Sequence, residues 1–277
     1  MHAMEPETLV EKAPLACLYH ENSKLTKASE QRLADAVAEF GSDPEALRRS
    51  MTAVKTYPSA RRVLLPPRRR LPRPRRRLDK VLAERRSVRA YDGRPLPFAV
   101  LASLLEHAGG ITAGIFLENG GTLAQPLRAW PSGGALYPIE TYVVAAAVGG
   151  LEPGIYHHHP VDRCLEPVRS AQACSRLGGL ILTATGRLDA PAVIILAGRW
   201  ERPLTKYGER GYRVLLLDAG HLAQNLLLVA AALGLGACPV AGFHDDALAA
   251  ELGLDPREEP VLHVMTAGYG ALSEGED

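Results

Sequence analysis

VLLLDAGHLAQNLLLVAAAL, residues Val214 to Leu233, is the longest apolar stretch of this 277-residue chain. Its length alone would suit a bilayer-spanning helix. Asp218, His221, Gln224 and Asn225 interrupt it, however. Placing an aspartate and three other polar groups in hydrocarbon would cost several kcal/mol. The stretch therefore predicts a long buried helix, from about 211 to 233, with no membrane partner.

Working outward, GLGACPVAGF (Gly234 to Phe243) follows that helix. A dinucleotide fingerprint follows a strand and opens a helix, so the Rossmann reading fails. The loop reads instead as backbone lying against a ligand. A short helix over Asp245 to Leu252 and a strand over Pro260 to Ala267 come after it. Before the long helix, Ala192 to Ala197 is an apolar run short enough for a buried strand, and Glu140 to Val148 is strand-like. Gly154 to His159 and Cys164 to Val168 flank Pro160-Val161-Asp162-Arg163 as a hairpin. Pro97 to Ala108 spaces its leucines helically, with Gly109 and Gly110 stopping it. Long helices among few strands, without βαβ alternation, argue an α+β fold.

Composition sets wider limits. Hydrophobic residues at 47% and charged residues at 23% describe an ordinary folded protein, and a net charge of +1 gives no global pull toward nucleic acid. Four dispersed cysteines without a C-x-x-C pair fit a reducing compartment and a cytoplasmic location. Glu5, Glu7 and Glu11 stand where a signal peptide would be basic, then apolar. The first 58 residues read as a helical extension, with helices expected after Ser29 and after Asp43. Residues 59–77 carry nine arginines, no acid, and Pro66, Pro67, Pro72 and Pro74. The prolines exclude a helix, and no aromatic is interleaved to stack bases. An extended connector is expected, ahead of an acidic-partner contact or a nucleic-acid arm. The remaining domain runs from 78 to 272, opening with a short helix over Leu78 to Arg86.

Two clusters besides the 234–243 loop carry candidate chemistry. Arg85, Arg86, Ser87 and Arg89 can serve a phosphate, because guanidinium forks onto two oxygens at once. In an extended segment Arg85, Ser87 and Arg89 share a side; the alternative is a solvated basic surface. In PSGGALYP (Pro131 to Pro138), Gly133 and Gly134 remove side chains where backbone approaches a flat ligand, or simply permit a turn. His157-His158-His159 invites a metal reading. Adjacent strand residues face opposite ways, so the three cannot share one ion, and no metal is expected.

Taken in order with Asp218 to Leu228, these segments make residues 78 to 270 resemble the nitroreductase superfamily. The resemblance implies a nitroreductase-type α+β fold, a central mixed or antiparallel sheet flanked by helices, and a homodimer packed around the long helix with FMN at its interface. It implies that Arg85, Arg86, Ser87 and Arg89 hold the FMN phosphate, ribityl and pyrimidine edge. Pro131, Ser132, Gly133 and Gly134 would lie along the ring, and Pro239, Val240, Ala241 and Gly242 would cover its other side. One feature departs from the family: no lysine or arginine follows Arg257, which shifts weight onto Arg85 and Arg86. Asp218, His221 and Asn225, at i, i+3 and i+7, are expected to form a satisfied polar seam in the subunit interface. Cys238, near the implied flavin, is expected to be packing rather than nucleophile.

A narrower resemblance lies in Tyr19 to Leu25, Lys55-Thr56-Tyr57-Pro58, Leu64-Leu65-Pro66 and Thr205 to Arg213. These are similar to SagB-type dehydrogenases, including the McbC-type azoline oxidases that aromatise thiazolines and oxazolines in ribosomally made peptides. The resemblance implies Lys206 and Tyr207 as a catalytic pair and a cyclodehydratase as a possible partner. Lysine works as a base near neutral pH only if burial or nearby cations depress its pKa from about 10.4. Arg202, Arg210 and Arg213 are candidates for that cationic neighbourhood. Two rivals stand beside this reading: an NAD(P)H-dependent nitro or quinone reductase of the same fold, and a non-catalytic scaffolding subunit of a peptide-modifying complex.

Overall fold

Ala192–Gly198 shows how the fold is assembled. Ala192, Ile194 and Leu196 face one side of a sheet and Val193, Ile195 and Ala197 the other, and all six are buried. Each buried aliphatic side chain of this size contributes about 1.5–3 kcal/mol, so the strand prefers the centre of a three-layer arrangement. The computed structural model describes residues 12–51, 54–58, 61–116, 123–183 and 188–271. The acidic start of the chain, Glu5 to Glu11, and its last residues lie outside them.

Among the described residues the strands are β1 (Val63–Leu64), β2 (Leu96–Pro97), β3 (Ile111–Phe116), β4 (Leu123–Arg128), β5 (Ile139–Ala145), β6 (Val148–Gly149), β7 (Gly154–His159), β8 (Cys164–Ser170), β9 (Ala192–Gly198), β10 (Gly236–Val240) and β11 (Val261–Gly268). Seven of them form one antiparallel sheet in the order β1-β8-β7-β5-β9-β11-β10. The α+β expectation holds. β3 and β4 form a separate hairpin, which the sequence reading missed.

The helices are α1 (Pro14–Asn22), α2 (Lys27–Ser42), α3 (Pro44–Met51), α4 (Leu78–Glu84), α5 (Phe98–Gly109), α6 (Ala171–Leu177), α7 (Glu201–Tyr207), α8 (Arg210–Ala232) and α9 (Asp245–Leu252). On one face, α5 and α8 bury Leu101, Leu104, Leu105, Leu215, Leu222 and Leu226 against Ile139, Val143, Ile194 and Met265. On the other, α6 and α9 bury Leu177, Leu248 and Leu252 against Val144, Ile155, Val193 and Ile195. α8 is long and apolar enough to cross a bilayer, but one face of it packs into this core through Leu215, Leu222 and Leu226.

The N-terminal helices differ from expectation in detail. Thr26, not Ser29, caps α2; Ser29 closes the reciprocal capping box three residues on. From Arg61 to Arg77 the arginines are mostly exposed, but the stretch is not simply extended: Val63 and Leu64 pair with β8, Arg68–Arg70 form a 3-10 turn, and Leu65 and Leu71 are buried. Arg62, Arg68, Arg76 and Arg77 of that stretch meet acidic residues nearby.

Candidate active site

The loop from Pro131 to Pro138 is held in a conformation that costs energy. Gly134 (φ 62°), Ala135 (φ 54°) and Tyr137 (φ 45°) all lie in the left-handed region. Glycine adopts it freely, whereas a side-chain-bearing residue costs about 1–3 kcal/mol there. α8 supplies the restraint. Ser132 Oγ donates to Asp218 Oδ2 at 2.5 Å and accepts from the Tyr137 amide at 2.9 Å, while the Gly133 amide donates to Asp218 Oδ1 at 3.2 Å. His221 Nδ1 lies 3.2 Å from the Pro131 carbonyl oxygen. Asn225 donates to the carbonyls of Ala129 and Ala108. The i, i+3, i+7 seam is therefore satisfied within the chain, by the loop it fixes. The expected satisfaction of the seam is thus met by intramolecular bonds, while His221 stays exposed on the outer face of α8.

Lys206 and Tyr207 close α7, and Gly208 (φ 56°) ends it. Their side chains converge on Gly134. A Cβ built there would sit 2.6 Å from Lys206 Nζ and closer still to Tyr207 Oη. Only a hydrogen at this position lets amine and phenol approach the backbone together. Burial pulls the Lys206 amine below its ordinary pKa. Burial, and then the Asp218 carboxylate, push the Tyr207 phenol up. Asp218 is itself raised by burial, against the lowering effect of the Ser132 and Gly133 hydrogen bonds.

The cationic neighbourhood expected around Lys206 has other duties. Arg202 donates to the Tyr137 carbonyl at 2.9 Å and to Glu140 Oε1 at 3.2 Å. Arg210 donates to the Ser23 carbonyl, and Arg213 to Ser23 Oγ and the His20 carbonyl. Desolvation, not these cations, depresses the lysine.

The other candidate residues gather at the β10 edge. The Val88 amide donates to the Ala237 carbonyl at 3.0 Å, which lays the Arg85–Arg89 segment beside β10. Arg89 lines a cavity of about 260 Å³ with Pro239, Val240, Ala241, Gly242 and Tyr91. Tyr91 Oη lies 2.6 Å from Thr266 Oγ1, and burial pushes its phenol up to about 12. Arg85 and Arg89 have no acidic partner among the described residues. Arg86 folds back to cap α4, donating to the carbonyls of Ala83 and Arg85. The predicted residues thus fall into two groups in one chain: the 131–134 loop with Lys206 and Tyr207, and Arg89 with 239–242.

A third, polar group escaped the sequence reading. Tyr142, His157 and Glu166 are cross-strand neighbours on β5, β7 and β8. His157 Nε2 lies 3.1 Å from Glu140 Oε2 and Nδ1 3.0 Å from Glu166 Oε2. Burial raises Glu140, but the His157 hydrogen bond and the charges of Arg202, His157 and Arg128 outweigh it and hold the carboxyl well below its usual range. Residues of the N-terminal extension cover the group: the Lys55 amide donates to Glu140 Oε1 and the Tyr57 amide to Glu166 Oε2. His158 faces the opposite side of the sheet, where burial lowers it to about 3. The alternation inferred for the histidine run is observed.

The fold is that of a nitroreductase-type protein, and the comparisons show the family. The chain belongs to the nitroreductase family, whose model matches residues 82–269. The nitroreductase-family protein MJ1384 of Methanocaldococcus jannaschii is 35% identical over 67% of this chain and 88% of its own length. The microcin B17-processing protein McbC of Escherichia coli is 35% identical over 51% of this chain, which spans about half of McbC, 54%. A chain of the E. coli microcin synthetase McbBCD complex, solved with truncated pro-MccB17 bound, shares the fold at a TM-score of 0.57 and 23% identity. That likeness covers 98% of this chain and 100% of that one.

Proposed function

We propose that this chain is an FMN-dependent dehydrogenase that converts thiazolines or oxazolines of a ribosomally made peptide to azoles, in the cytoplasm and as a homodimer. The observation that carries the reading is the convergence of the Lys206 amine and the Tyr207 phenol on Gly134. The 35% identity to a microcin-processing protein supports a peptide substrate and a cyclodehydratase partner.

The residues present fit FMN. Arg85 and Arg89 are guanidiniums with no acidic partner among the described residues, suited to a phosphate, and Arg89 lines the cavity beside Pro239 to Gly242. Gly133 and Gly134 have no room for a Cβ, because Val214 stands against the first and the Lys206–Tyr207 pair against the second. Arg89 with Pro239 to Gly242 would hold the cofactor at one side, and Ser132 to Gly134 would lie along its ring. When bound, FMN supplies a two-electron acceptor for the hydride leaving azoline Cβ.

The chain's own residues handle the proton. A neutral Lys206 amine takes the Cα proton, and burial favours that neutral form. Tyr207, kept protonated by burial and by Asp218, donates a hydrogen bond to the ring nitrogen. The strained loop, pinned by Asp218, keeps the pair's target position fixed, so little reorganisation accompanies reaction. Leu216 and Leu217 stand exposed on α8 and supply apolar area for a second subunit, which would bring its own half of the site.

The test is direct. The purified protein should be yellow and should remove 2 Da from a thiazoline-bearing peptide; Lys206→Ala should abolish that loss while FMN stays bound. Survival of activity in Lys206→Ala would overturn the assignment. A colourless protein that cannot be reconstituted would favour a scaffolding role. A second reading, NAD(P)H-dependent nitro or quinone reduction, is favoured by the match to MJ1384, which spans 88% of that protein and 67% of this chain. It predicts turnover with NAD(P)H and a nitroarene that is indifferent to Lys206.

A further inference from the structure

Phe40 lies in the last turns of α2, far from Lys206 in sequence. Its ring centroid stands 5.1 Å from Lys206 Nζ. It is buried in a small cluster with Ala46 of α3 and Leu136 of the strained loop, against which Tyr207 packs. One aromatic side chain of the N-terminal extension thus touches both the candidate pair and the loop on which the pair converges.

α2 has little freedom to place that ring elsewhere. Before it, Ser23 is held by Arg210 (3.0 Å to the carbonyl) and Arg213 (2.6 Å to Oγ), both on α8. After α3, Lys55 and Tyr57 are bonded to Glu140 and Glu166 of the sheet. Leu33, Ala36, Val37 and Phe40, at helical spacing, form the face of α2 that is not exposed. Two cavities border the contact. One, of about 210 Å³, is lined by Phe40 and Thr205; the other, of about 410 Å³, by Leu33, Ala36 and Tyr207. Removing the ring would join Lys206 to space that water can fill.

We propose that Phe40 is a positioning residue: the N-terminal extension forms the outer wall of the Lys206–Tyr207 pair and aims the amine at Gly134. A lysine side chain has many rotamers, so a wall on one side limits where Nζ can go. The ring also keeps water off the amine's outer side. This inference rests on the reading of Lys206 as the base, but its placement claim can be checked without that reading.

The experiment uses full-length protein loaded with FMN, as wild type, Phe40→Ala and Phe40→Leu. The first readout is acylation of Lys206 by an amine-directed active ester at fixed pH, followed by mass spectrometry of the peptide that contains it. Phe40→Ala should raise the labelling rate severalfold, and Phe40→Leu, which restores apolar cover, should return it near wild type. The second readout is azoline oxidation. Phe40→Ala should lower kcat by about tenfold to a hundredfold, the range expected of a misplacement near 1 Å, with KM little changed. Phe40→Leu should recover most of that loss. If Phe40→Ala does not retain FMN, Phe40→Val is read on the same scale. Labelling of Lys206 unchanged by loss of the ring overturns the proposal, as does a kcat loss that leucine cannot restore. Should wild type not oxidise azolines at all, the labelling result still decides the wall's role, separately from the function.

Discussion

Replacing Gly134 by alanine separates a structural role of the loop from a catalytic one. Two costs arise. The backbone there (φ 62°, ψ 20°) is left-handed, which costs an alanine about 1–2 kcal/mol. For a chain of this size that lowers Tm by roughly 2–8 °C. A stability of about 5–15 kcal/mol absorbs such a loss, so the protein still folds. The second cost falls on the site. The added methyl would lie 2.6 Å from Lys206 Nζ, whereas ordinary contact needs about 3.5 Å, so the amine must retreat by roughly 1 Å. Nζ and Oη are the far ends of flexible side chains, so they move and the backbone stays. A displacement of that size costs on the order of a hundredfold in rate. The assay is flavin bleaching by a thiazoline peptide in a single turnover, normalised to FMN released on denaturation. Gly134→Ala turning over within about threefold of wild type would refute the convergence argument.

Four further outcomes follow from the same geometry. Asp218→Asn should lower the Tyr207 phenol pKa, since the carboxylate raises it; a phenolate difference titration that shows no downward movement counts against the contact. Glu140→Gln should destabilise the protein by about 3–5 kcal/mol at neutral pH, because it removes the partner of buried Arg202. Glu140 is depressed in the folded state, so its stabilisation is complete above the ordinary carboxylate range and fades as pH falls below it. The Tm gap between wild type and Glu140→Gln should accordingly narrow on acidification, and a gap constant from pH 7 to pH 3 would contradict this. Arg89→Ala should weaken FMN retention by about tenfold to a hundredfold, as expected for a lost charge-assisted bond, with the effect shrinking in high salt. Leu217→Arg should shift the protein to monomer in sedimentation and release FMN; a stable FMN-loaded dimer would move the interface elsewhere.

Much of the fold could be read along the chain because its elements are locally complete. α8, β5, β9 and the β7–β8 hairpin each carry their own periodicity or turn chemistry. α7 has no N-cap hydrogen bond and holds Pro203, so only the family resemblance drew attention to Lys206 and Tyr207. The β3–β4 hairpin carries Gly114 and Pro126 inside its strands, which propensity counts against strand. β1 is two apolar residues amid arginines and becomes a strand only because β8 offers an edge. In the site, motif residues were legible and their supports were not. Asp218 could be singled out by spacing, but its partner, Ser132, lies 86 residues away. Glu140, His157 and Glu166 meet only once three strands are in register, and Phe40 meets Lys206 only after the extension has docked.

The two-residue strand β1 also has a bearing on how the protein behaves in concentrated solution. It pairs with Leu165 and Cys164 at one margin of the sheet, and Pro66 and Pro67 follow directly. Proline offers no amide hydrogen, and the arginines beyond repel copies of themselves, so no further strand can be stacked there. A truncation that begins after Pro67 would remove the pairing at Cys164 and Leu165 and lengthen the edge of β8 that β1 leaves unpaired. Such a fragment should associate strand to strand more readily than the full chain, even with the candidate pair Lys206 and Tyr207 retained.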